Sequence, residues 1–183
     1  MKTRPIDPDR FAHLALYDYR KSISPSFPVD IKNLIFFTSQ YGEFPISEIK
    51  EIDYDGFNAG LFFLKNKKSW VILYNKKNSP TRINFSLAHE FGHYLMHTSK
   101  VQEFKCNISE TEFLNPKYKA LEMEADAFAS ALLIPDLDFL EFIKGKKLSN
   151  AFFTTCAEQF DVSLTVVLLK WIKLTFLILV RRL

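Results

Sequence analysis

Residues 81–97 contain the pattern His-Glu-x-x-His, which constrains the fold and the chemistry of this 183-residue chain more than any other feature. An α-helix turns by about 100° per residue, so His89 and His93 lie one turn apart on the same side of a helix. Two imidazoles placed in this way can bind one metal ion, and such ligands are typical of zinc. Glu90 follows the first histidine directly, so its carboxylate lies beside the ion, where it can take a proton from a metal-bound water. The pattern predicts a metal-dependent peptidase, and a helix with solvent-facing histidines is the alternative.

The two other histidines are not predicted to bind the metal. His97 continues the four-residue spacing, but a ligand one turn further along the helix would have to lean back over His93. We interpret it as a helix-end residue. His13 lies alone on a predicted N-terminal helix, where a single histidine is usually structural. The third ligand must therefore come from another part of the chain.

A second helix, predicted from Lys117 to Pro135, offers this ligand. Glu122 and Asp126 are one turn apart and share a flank of the helix, whereas Glu124 projects from the other side of the apolar stripe. We expect Glu122 to bind the zinc. We expect Asp126 to accept a hydrogen bond from a ligand histidine, because such a histidine needs its second ring nitrogen fixed. Glu124 is expected only to be solvated, and solvation of all three acids is the alternative reading of this helix.

Small residues predict that these two helices touch. Gly92 costs about 1 kcal/mol relative to alanine inside a helix, so its presence needs a packing reason. The second helix is rich in alanine, which permits a close approach. We therefore expect a helix contact at Gly92.

The remaining pattern predicts an α+β fold with a small, mostly antiparallel sheet. Two N-terminal helices are predicted, the first capped by Asp9, at residues 9–21 and 31–41. Strands are predicted at residues 44–46, 48–52, 58–64 and 69–74, and the last of them is apolar on both faces, which places it inside the sheet. A polar loop is predicted at residues 99–116. Two C-terminal helices and a terminal strand follow, at residues 148–160, 164–174 and 175–183. We divide the chain into a peptidase domain, residues 1–147, and a small C-terminal element, residues 148–183.

Composition narrows the classes of partner. A net charge of +3 and the lack of a dense basic stripe argue against direct nucleic-acid binding. The apolar run near the C-terminus is far shorter than the roughly 20 residues that span a bilayer, so no membrane contact is expected. The polar N-terminus lacks the apolar region of a signal peptide, which predicts a cytoplasmic protein. The 2 cysteines form no paired motif and are interpreted as buried or idle thiols.

The two motifs together resemble the ImmA/IrrE family of bacterial and phage zinc peptidases. The first is Arg-Ile-Asn-Phe-Ser-Leu-Ala-His-Glu-Phe-Gly-His-Tyr-Leu-Met-His at residues 82–97, and the second is Glu-x-x-Ala-Asp-x-Phe-Ala-x-x-Leu-Leu-x-Pro at residues 122–135. The order of elements from about residue 10 to residue 175 is similar as well. The resemblance implies a zincin-like fold.

The same resemblance implies a gluzincin-like site. Its zinc ligands would be His89, His93 and Glu122, its base Glu90, and Asp126 stands where many family members have asparagine. It also implies that the substrate is a helix-turn-helix repressor, whose cleavage switches on stress or mobile-element genes.

The sequence thus predicts a zinc-dependent endopeptidase. Tyr94, Tyr118 and Arg82 are candidates for the group that stabilises the oxyanion. A zinc-binding module that sequesters a repressor without cutting it is one alternative, and a helical protein that binds no metal is another.

Overall fold

The structure is a computed structural model that describes residues 6–23, 26–98, 103–105 and 116–180. It begins with two helices, α1 (Pro8–Ser22) and α2 (Ile31–Ser39). Asp7, rather than the predicted Asp9, caps α1 by accepting a hydrogen bond from the main chain of Arg10, since Pro8 already occupies the first helical turn. Asp30 caps α2 in the same way.

A four-stranded sheet follows, in the order β1-β3-β2-β4. Its strands are β1 (Ile46–Ile52), β2 (Ala59–Leu64), β3 (Ser69–Asn75) and β4 (Glu103–Lys105). β3 is interior, as predicted, because both of its faces are apolar and largely buried. β1 pairs with it in parallel, and the two other pairings are antiparallel, which confirms a mostly antiparallel sheet. β4 corrects the prediction of an uninterrupted loop at 99–116, since three of those residues pair with the open edge of β2. Residues 99–102 and 106–115 lie outside the described part of the chain.

The long helix α3 (Pro80–His97) packs between the sheet and a second long helix, α4 (Pro116–Leu133). Ser79 caps α3 by accepting from the main chain of Arg82. From Ser86 to His97 every residue of α3 except Leu95 is buried. This part of the helix is therefore enclosed, and its polar residues must find partners inside the protein.

Three further helices complete the described chain: α5 (Asp136–Ile143), α6 (Asn150–Phe160) and α7 (Leu164–Val180). The pair α6–α7 confirms the predicted C-terminal helical element. The predicted terminal strand is wrong for residues 175–180, which continue α7. No proline or glycine interrupts this run, so each added residue extends an existing helix at little cost, whereas a strand needs a partner edge. The division at residue 147 stays a prediction.

Among the described residues no helix is both long enough and apolar enough to cross a bilayer. Cys156 is a buried free thiol, in line with its interpretation from the sequence, and Cys106 lies outside the described residues.

The predicted contact at Gly92 is present. A Cβ at this position would lie 2.9 Å from Phe128 Cδ1 and 3.3 Å from Phe128 Cβ. Both distances are shorter than ordinary carbon contacts, and Phe128 is fully buried, so it has little room to move. The absence of a side chain at Gly92 therefore allows α3 and α4 to approach.

Replacing Gly92 with alanine should destabilise the protein by up to about 2 kcal/mol. Overpacking typically costs about 1–3 kcal/mol, and the better helix propensity of alanine returns only about 1 kcal/mol. Urea denaturation of the metal-free protein measures this difference. In a Phe128→Ala background, which lacks the two nearest atoms, Cγ and Cδ1, the same substitution should cost clearly less, and an equal loss in both backgrounds would contradict the assigned contact.

Candidate metal centre

Three side chains from α3 and α4 converge on one point. His89 Nε2 and His93 Nε2 lie 3.0 Å apart. The carboxylate of Glu122 faces both, with Oε2 3.2 Å from His89 Nε2 and Oε1 3.2 Å from His93 Nε2. Among the described residues this is the group of His, Cys, Asp and Glu side chains whose atoms are close enough to hold a metal ion together. The structure thus brings the three predicted ligands to one place.

The spacing of these atoms suits a small tetrahedral ion. With bonds of about 2.1 Å, a tetrahedral zinc ion separates its ligand atoms by about 3.4 Å, close to the observed 3.0–3.2 Å. Glu122 Oε1 is buried and accepts no hydrogen bond from the described residues, which is costly for a carboxylate oxygen. A cation bound between the two imidazoles would satisfy it. Two nitrogen ligands and one oxygen ligand therefore fit zinc, with a fourth position left for another ligand.

Two of the three groups, His93 and Glu122, favour the protonation states that a metal requires. Burial lowers the pKa of His93 to about 4, so its ring is neutral at pH 7. Burial alone would raise the pKa of Glu122, but the close contacts with the imidazoles of His89 and His93 outweigh it and hold that pKa well below its ordinary value. Glu122 is thus ionised and His93 uncharged, as metal ligands must be.

Each candidate histidine ligand has a partner at its second ring nitrogen. His89 Nδ1 lies 2.9 Å from Asp126 Oδ1, which is the contact expected for Asp126 from the sequence. The side chain of Asp126 is 61% exposed, so this carboxylate is solvated as well. His93 Nδ1 lies 2.9 Å from His97 Nδ1. The two rings are therefore supported by different chemistry.

His97 and Glu124 correct two interpretations of the sequence. His97 is fully buried rather than a simple helix end, and its Nε2 lies 2.9 Å from Glu124 Oε2. Glu124 is 29% exposed and bound to His97, so it is not merely solvated. The small residues at the contact between α3 and α4 let the two helices approach, so side chains on both flanks of α4 reach α3. Glu122 therefore meets His89 and His93, while Glu124 meets His97 one turn further along. The repeated four-residue spacing of the histidines was the signal that could have revealed this.

Glu90 lies on α3 directly after His89 and is fully buried. The structure separates the three oxyanion candidates. The hydroxyl of Tyr94 faces the carbonyl oxygens of Ser39 and Phe44 at 3.3 and 3.1 Å, so it joins α3 to the connection between α2 and β1. This use argues against a catalytic role for Tyr94.

The other two oxyanion candidates stay predictions. Arg82 is exposed near the start of α3, and Tyr118 lies half-buried one turn before Glu122 on α4.

Comparisons with known proteins place this arrangement in context. Residues 47–171 match the family model Peptidase_M78, described as the IrrE N-terminal-like domain. The fold resembles a solved structure described as a Mycobacterium tuberculosis transcriptional regulator, with a TM-score of 0.57 and 16% sequence identity. The match covers 89% of this chain and 54% of that one, so this chain spans about half the length of that protein. At this identity the likeness shows a common fold. No match was found among curated proteins.

The metal-free protein should lose stability as the pH falls from about 6.5 toward 4. The folded state keeps His93 neutral down to about pH 4, whereas the unfolded chain protonates it near 6.5, so acid favours the unfolded state in this window. Above the window both states are neutral and the contribution is constant. The slope from one such group is at most about 1.4 kcal/mol per pH unit.

Urea unfolding at a series of pH values measures this slope. His93→Gln should flatten the dependence, and the control variant His13→Gln, at an exposed position on α1, should leave it unchanged. An unaltered slope in His93→Gln would show that another group is responsible.

Proposed function

Because this chain belongs to the IrrE N-terminal-like domain family of peptidases, we propose that it is a zinc-dependent endopeptidase. One observation carries the proposal: two imidazoles from α3 and one carboxylate from α4 converge within 3.2 Å, and Glu90, the residue after His89 on α3, is buried. An arrangement made only for packing would not leave a buried carboxylate oxygen, Glu122 Oε1, 3.2 Å from an imidazole nitrogen and without a hydrogen bond from any described residue.

Each residue of the site has a definite task in this proposal. His89 and His93 would hold the ion through Nε2, and Glu122 would hold it through its carboxylate. When bound, zinc supplies Lewis acidity, which lowers the pKa of a coordinated water and polarises a peptide carbonyl. Glu90 takes the proton of the attacking water and delivers it to the nitrogen of the leaving amine.

The contacts at the second ring nitrogens of the histidines orient their imidazole rings toward the metal position. Asp126 accepts from His89 Nδ1, which leaves Nε2 of the same ring for the metal. Burial of Glu90 keeps its carboxylate away from bulk water, so that it exchanges its proton with the reacting groups.

The proposed substrate is a helix-turn-helix transcriptional repressor. The sequence motifs resemble those of the ImmA/IrrE peptidases, for which this substrate class is implied. A protein of similar fold is described as a transcriptional regulator, which fits the same regulatory context. The charge of +3 gives no reason to expect that the chain itself binds nucleic acid. Its action on transcription would then pass through the repressor, in the cytoplasm.

Incubation with the helix-turn-helix protein encoded beside this chain should give a cut that a zinc chelator abolishes. Glu90→Gln should lower the cleavage rate by at least about 100-fold, since proton transfer by a positioned side chain contributes this much or more. The variant should keep about one zinc per chain, because Glu90 is not a ligand. Product bands resolved by mass spectrometry measure the rate and identify the bond.

His13→Gln, at an exposed position remote from the site in sequence, serves as the matched control and should cut like the wild type. A zinc content well below one per chain would overturn the metal site. No chelator-sensitive cut would overturn this substrate. Derepression that persists in Glu90→Gln would favour sequestration of the repressor over proteolysis.

A further inference from the structure

His93, His97 and Glu124 form a chain of polar contacts that leads from the candidate metal position to the edge of α4. The distance from His93 Nδ1 to His97 Nδ1 is 2.9 Å, and that from His97 Nε2 to Glu124 Oε2 is also 2.9 Å. Both imidazoles are completely buried, while Glu124 reaches solvent with 29% of its side chain. The chain joins two helices and ends on a charged group at the surface.

Metal binding at His93 determines which nitrogen of each imidazole in this series of contacts carries the proton. If His93 binds zinc through Nε2, its proton is on Nδ1, and this N–H must donate to His97. His97 Nδ1 then has to accept, so the proton of His97 lies on Nε2. That N–H faces the carboxylate of Glu124. An ionised carboxylate has no proton to donate, so it acts only as a hydrogen-bond acceptor. Every donor in the chain then meets one acceptor.

We propose that His97, held by Glu124, is a positioning residue that fixes His93 with its proton on Nδ1 and its Nε2 directed at the metal. This inference rests on the proposed zinc site but does not require that the protein cuts a peptide. It assigns to an imidazole the task that a carboxylate or a carbonyl performs beside most ligand histidines.

The support of His93 differs from that of His89 in whether water can replace it. Asp126 is 61% exposed, so a water molecule can take over the hydrogen bond to His89 Nδ1 when the carboxylate is removed. His97 is 0% exposed, and its loss would remove an acceptor of His93 Nδ1–H in the buried interior, where water has less access than at Asp126. His97 should therefore matter more for zinc affinity than Asp126, although each lies 2.9 Å from the ring nitrogen of its ligand histidine.

Zinc affinity of the full chain, measured by competition with a chromophoric chelator, tests this order. His97→Leu should weaken zinc binding by about 10- to 100-fold, the usual cost of losing such a partner. Asp126→Ala should weaken it by a smaller factor. His97→Gln should recover most of the loss, because its amide can accept from His93 and donate to Glu124. Glu124→Leu should also weaken zinc binding, as His97→Leu does. Because the side chain of Glu124 is partly exposed, this variant should still fold.

Tyr94→Phe is the matched control. It also removes a buried polar group from α3, one that contacts main-chain carbonyls rather than a ligand, so zinc affinity should not change. An equal loss in Tyr94→Phe and His97→Leu would mean that general destabilisation is responsible, and it would overturn the proposal. Wild-type affinity in both His97→Leu and Glu124→Leu would overturn it as well.

Nitrogen-15 NMR of the imidazoles in the zinc-loaded wild type needs no variant. The expected result is a neutral His97 with its proton on Nε2 and a His93 with its proton on Nδ1. A His97 protonated on Nδ1 would point an N–H at the N–H of His93 and would overturn the proposal. Zinc affinity and the NMR spectrum do not depend on cleavage, so they can contradict the role of His97 while the proposed peptidase activity stands. Glu90→Gln tests that activity without changing a zinc ligand.

Discussion

At Gly92 the two helices that carry the candidate site approach so closely that a Cβ would lie 2.9 Å from Phe128 Cδ1. Every proposed ligand depends on this approach, since His89 and His93 lie on α3 and Glu122 on α4. A wider separation of the helices would move the carboxylate away from the imidazoles, which it now faces at 3.2 Å. The costly glycine inside a helix is thus explained by the geometry that it permits.

The same close approach buries polar side chains between the two helices. Polar side chains buried between two helices are stable only when each finds a partner. His89 contacts Asp126, His93 contacts His97, and His97 contacts Glu124. Glu122 Oε1 lies 3.2 Å from His93 Nε2, and within the part of the chain that the structure describes it accepts no hydrogen bond, although the groups around it have partners. A cation there would complete the network, which is why the packing and the proposed chemistry depend on each other.

Most of the correct predictions came from the spacing of residues that are close together in the sequence. The caps, the proline and glycine breaks and the apolar periodicity indicated α2, β2, β3, α3 and α4, and the four-residue spacings placed the histidines and acids on the correct flanks. Most of what failed depended on contacts between distant segments. β4 forms because the edge of β2 is open to it. The exception is α7, which continues locally past residue 174 where a strand was expected. The pairing of His97 with Glu124 requires the crossing geometry of α3 and α4, which no periodicity within either helix contains.

Zinc K-edge X-ray absorption of the zinc-loaded protein tests the central claim, a site built from two histidines and one glutamate on two helices. The expected spectrum has only nitrogen and oxygen neighbours at about 2.0–2.2 Å, with scattering from two imidazole rings. Substitution of Glu122 by alanine should remove one of the oxygen neighbours or the bound zinc itself. A sulfur neighbour near 2.3 Å, or scattering from three imidazoles, would contradict the assignment of the ligands.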